Sequence, residues 1–98
     1  MSNAEPQNTT STTREIQLEV GGHNYTFTVS REAFNRFLRE SQRDANQAAH
    51  NCLLRTVADK ERDRLRAAFD ANWSLPLQMM AHVQDEIGGE EEVVVKKR

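Results

Sequence analysis

Residues Glu15 to Val29 read EIQLEVGGHNYTFTV, and few folds can accommodate such a run. Ile16, Leu18 and Val20 alternate with Glu15, Gln17 and Glu19, the period-two pattern of a strand with one buried face. Gly21-Gly22-His23-Asn24 then supplies residues that tolerate positive φ, so the chain can reverse. Tyr25, Phe27 and Val29 alternate with Thr26 and Thr28 on the way back. The pattern predicts an antiparallel hairpin with one apolar face. A lone two-stranded hairpin is barely stable in water, so the rest of the chain must cover that face.

The remainder reads as helices. Ser30 is placed to cap the first, with Glu32 in its first turn, where the helix dipole favours an anion. Phe34, Phe37 and Leu38 make its predicted buried stripe, with Arg36, Arg39 and Glu40 facing water. The polar run Ser41 to Asn46 breaks the pattern. A second helix places Ala45, Ala48, Ala49, Cys52, Leu53 and Val57 on one face. Asp59 reads as the cap of a third helix that turns Leu65, Ala68 and Phe69 inward. Asn72-Trp73-Ser74 is a turn, and Pro76 suits the first turn of a fourth helix, where its missing N–H costs nothing. Leu77, Met80, Val83 and Ile87 form the stripe expected of that helix, and Gly88-Gly89 ends it.

The expected architecture is therefore α+β, an N-terminal antiparallel hairpin packed on about four short helices. With 98 residues there is room for one domain, expected over residues 14–98. Residues 1–13, MSNAEPQNTTSTT, offer no large apolar side chain after Met1 and are expected to form a disordered polar tail. Near the other end, Val93-Val94-Val95 reads as a short C-terminal strand or an exposed apolar segment. Cys52 is the single cysteine, which leaves no disulfide framework and suits a reducing compartment. No segment has the length and apolarity of a membrane span or a signal peptide.

No residue constellation announces chemistry. His23, His50 and His82 with Cys52 lack the spacing of a metal site, and the pair His50-x-Cys52 projects about 200° apart on a helix. Cys52 lies on an apolar stripe, the setting of an inert thiol. The carboxylates Asp59, Glu61 and Asp63 alternate with Lys60, Arg62 and Arg64, which reads as charged surface. Neither catalytic residue, metal nor cofactor is expected. From Arg31 to Arg66, nine cations stand against six carboxylates, a local excess compatible with a small nucleic-acid-binding regulator. The acids interleave with them, however, no aromatic platform accompanies them, and the whole chain carries a formal charge of −2. Trp73 reads as a cap on the core, with the residues after it covering the sheet; the alternative is that Trp73, Leu75 and Met79, adjacent in sequence and off the stripe assigned to the core, form a contact patch for a partner.

The order of hairpin, REAFNRF, AHNCLLRTV and LPLQMMAHVQDEIG resembles the small tail assembly chaperones of long-tailed bacteriophages and prophages, over about Arg14 to the C-terminus. The resemblance implies a non-enzymatic role in virion morphogenesis, in the cytoplasm of the bacterial host and not in the mature virion. The implied partners are the tape-measure protein, kept soluble while the tail is built, and the tail-tube protein, recruited to it. It also implies a longer form made by ribosomal frameshifting near Lys96-Lys97.

Overall fold

A computed structural model describes residues 13–88. The chain is α+β. Strand β1, Thr13–Val20, pairs antiparallel with β2, His23–Ser30, in a register that sets Ile16 opposite Phe27 and Leu18 opposite Tyr25. Four helices follow: α1, Arg31–Ser41; α2, Ala45–Thr56; α3, Arg62–Ala71; and α4, Leu75–Gly88. A single 3₁₀ turn, Asp59–Glu61, leads into α3.

The hairpin reverses through Gly21 and Gly22 alone, at φ of 58° and 84°. Positive φ at both central residues is the turn whose twist matches the strands, and glycine adopts it without strain. His23 and Asn24, assigned to the turn on sequence, are the first residues of β2. Thr13 pairs with Ser30, so the ordered strand takes the last residue of the expected tail. Residues 1–12 and the run Val93–Val95 lie outside the described residues.

Ile16, Tyr25, Phe27 and Val29 line the inner sheet face and are buried. Above them lies the cover that the hairpin requires. Ala48, Ala49, Cys52 and Leu53 form one wholly buried face of α2, small enough near its start to let neighbouring backbones approach. Leu65 and Phe69 enter from α3, and Phe37 from α1.

Capping defines the helix starts. The Ser30 hydroxyl accepts the Ala33 N–H at 3.0 Å, as the sequence predicts. Asp44, inside the polar break, does the same for α2, accepting the Gln47 N–H at 3.1 Å. Asp59 is not the cap of α3. It opens the 3₁₀ turn, and its carboxylate meets the Arg62 guanidinium at 2.9 Å.

Ala45, expected on the inward face of α2, is exposed at the start of that helix, and two further helix faces differ from their expected phase. Leu38 is 41% exposed, because α1 packs through Phe37 with only Ala33 and Phe34 half-buried beside it. On α4 the buried residues are Leu75, Pro76, Met79, Met80 and Val83, with Ile87 half-buried. At about 100° per residue these cover an arc of about 140°. Leu77, expected in the core, lies about 60° beyond its edge and is exposed.

The outer edge of β2 is covered at Thr26 and Phe27. The Ala58 N–H donates to the Thr26 carbonyl at 2.8 Å, and Phe27 forms a bridge with Val57. The Thr26 N–H donates to the Glu61 carboxylate at 2.8 Å. The segment after α2 thus acts as a short third rung beside the sheet.

Candidate partner-binding site

Trp73 is 81% exposed, which sets it apart in a chain whose other aromatic rings lie at or near the core. The turn that carries it is held by Asn72. Its side-chain carbonyl accepts both the Ser74 N–H at 3.1 Å and the Ser74 hydroxyl at 2.9 Å. Its backbone carbonyl accepts the Leu75 N–H at 3.1 Å. The Gln78 amide then donates to the Ser74 hydroxyl at 3.0 Å, tying the turn to the first coil of α4. The indole is therefore presented on a short, hydrogen-bonded loop. Leu77, four residues on, adds a second exposed apolar side chain at 44%.

The candidate patch of Trp73, Leu75 and Met79 is corrected by this geometry. Leu75 and Met79 are 7% and 2% exposed and belong to the core. Leu77 and not these two accompanies Trp73 at the surface. The error is one of phase. The run LPLQMM is apolar on nearly every side, so periodicity alone does not choose a face. Packing on α2 and β1 together chooses it.

The titratable side chains are dispersed. Among the described residues no three of His, Cys, Asp and Glu stand close enough to share a metal ion. His50 packs its ring against Phe69 at 5.3 Å between centroids, whereas His23 and His82 are exposed. Cys52 is buried, and burial, aided by the Glu40 charge and opposed by Arg55, pushes its thiol above the ordinary range. Several arginines of the basic stretch are engaged: Arg36 with Glu40 at 3.0 Å, Arg62 with Asp59 and Arg66 with Asp63 at 3.2 Å. Such pairing removes part of the cationic surface that a phosphate backbone would need.

Two residues of the run read as charged surface bond to backbone outside it. Arg62 Nε donates to the Leu54 carbonyl at 2.8 Å, and another of its nitrogens donates to the Val57 carbonyl at 3.1 Å. It thereby closes the C-terminal end of α2. Glu61 holds β2 through Thr26. A single Arg or Glu in an alternating charged run carries no local mark of such a role.

Residues 9–96 match the model of a domain of unknown function, DUF6848. No curated protein matches the sequence. The fold is similar to that of an uncharacterised protein, rbstp2171, from Bacillus stearothermophilus. The TM-score is 0.66 at 16% identity, covering 95% of this chain and 100% of that one.

Proposed function

The chain belongs to the DUF6848 family, and we propose that it is a non-enzymatic assembly chaperone of the phage-tail type. It binds the long helical tape-measure protein, keeps it soluble and helps bring tail-tube subunits to it. The observation that carries the binding reading is the exposure of Trp73 and of Leu77, four residues on. Tryptophan is costly to leave in water and is enriched where binding energy concentrates. The choice of partner rests on the sequence resemblance of REAFNRF, AHNCLLRTV and LPLQMMAHVQDEIG.

The physical task suits such a surface. A long helix with an apolar seam aggregates until the tube encloses it, and many weak binders can cover it in the meantime. A binder that later leaves needs a small contact, and one indole with one leucine is small.

Co-expression with the tape-measure protein of the same genome is the test. A soluble complex is expected, lost or much weakened in Trp73→Ala. A tape measure equally soluble without this chain would refute the chaperone reading.

A further inference from the structure

Among the described residues the outer edge of β1 faces α4 across a groove, and the geometry points to a binding site there for an extended, basic segment that adds to the sheet as a third strand. The inference is independent of the Trp73 surface and of the chaperone reading.

The backbone comes first. Thr26 directs both its N–H and its carbonyl away from β1, and Gln17 is its partner in register. Opposed residues in an antiparallel ladder share this property, and it recurs every second residue. Glu15, Gln17 and Glu19 therefore present their N–H and carbonyl groups to the outside. Where β2 has Ala58 and Glu61 to answer such groups, β1 has no counterpart among the described residues.

The groove beside this edge is lined by Leu18, Glu19 and Val20 from the strand and by Leu75, Met79 and His82 from α4. Leu18 and Val20 are half-buried, so an incoming strand would find an apolar floor beside them. Asp85 and Glu86, both exposed, continue the same side of α4 by helical spacing. Glu15 and Glu19 stand exposed on the outer sheet face. Glu19 thus lines the groove itself, and Glu15 lies four residues back on the same face of the strand.

That charge selects the occupant. A segment alternating lysine or arginine with apolar residues would set its cations beside Glu15 and Glu19 and its apolar side chains towards Leu18 and Val20. A second copy is disfavoured. Antiparallel pairing of β1 with itself about Gln17 opposes Glu15 to Glu19 twice, and like charges directly opposite destabilise a ladder. The acidic edge thus resists self-association while accepting a basic strand.

The probe is a capped peptide alternating lysine and valine, titrated into the ¹⁵N-labelled full chain with amide exchange read by NMR. At saturation the Glu15, Gln17 and Glu19 amides should exchange roughly tenfold or more slowly, with Ile16 and Leu18 unchanged. Methylating alternate peptide nitrogens should abolish this. A glutamate–valine peptide should not bind. The surface double variant Glu15→Lys with Glu19→Lys should bind the lysine peptide roughly three- to tenfold more weakly, in line with loss of exposed ion pairs. Three results would overturn the inference: protection of these amides in the peptide-free chain at every concentration, protection that grows with protein concentration alone, or peptide binding that perturbs Trp73 and Leu77 and not β1.

Discussion

Arg62 sits in DKERDR, a run whose alternating signs suggest nothing beyond solvated surface. Its guanidinium nevertheless reaches the Leu54 and Val57 carbonyls and the Asp59 carboxylate together. These carbonyls belong to the end of α2, where helices leave acceptors unpaired. Charge-assisted bonds to backbone are among the stronger ones, and the side chain is 31% exposed, which tempers them. Arg62→Ala should lower unfolding free energy by about 1–3 kcal/mol in chemical denaturation. Arg62→Lys should restore only part, since an ammonium lacks the planar fork. Cys52 permits a pH prediction. Its folded pKa is raised, so the native state keeps the thiol neutral where the unfolded chain would ionise. Its contribution is then fully present below the unfolded value, about 8.5, and is lost as pH rises through the folded one. Stability measured across that range should fall by more in the parent chain than in Cys52→Ala.

At the scale of elements, α4 shows how an apolar helix is oriented by what surrounds it. Met79 and Leu77 are both large and apolar, yet one is buried and the other exposed. Met79→Ala should cost about 2–5 kcal/mol, whereas Leu77→Ala should remain near the parent value, both read from thermal or denaturant unfolding. Equal losses would mean that Leu77 packs as deeply as Met79. The hairpin gives the opposite lesson. Its alternation and paired glycines set faces and turn together, because a slip of one residue would turn every apolar side chain to water. The Ser30 cap was equally legible, being a short-range bond between near neighbours. Asp59 failed as a cap because the chain tightens into a 3₁₀ turn there, drawn to β2 by Ala58 and Glu61.

For the whole molecule, the prediction concerns the separation of stability from binding. Trp73 contributes little to the core at 81% exposure, so Trp73→Ala should fold and melt much as the parent does. The solubilising effect proposed for the chain on a tape-measure protein should be lost all the same, a contrast read by co-expression and thermal melting side by side. Leu53→Ala, by contrast, should cost about 2–5 kcal/mol and impair both, since Leu53 is wholly buried among α2, the sheet and their neighbours. The α+β class, the hairpin face, the inward row of α2 and the start of α1 were determined by the sequence alone. Each follows from a period or a bond spanning a few residues. Only the tertiary structure decided which side of α4 is buried, that Leu75 and Met79 are core while Leu77 is surface, and that Glu61 and Arg62 secure distant backbone. These depend on contacts between segments far apart in the chain, and no local pattern of residues encodes which neighbour a helix will meet.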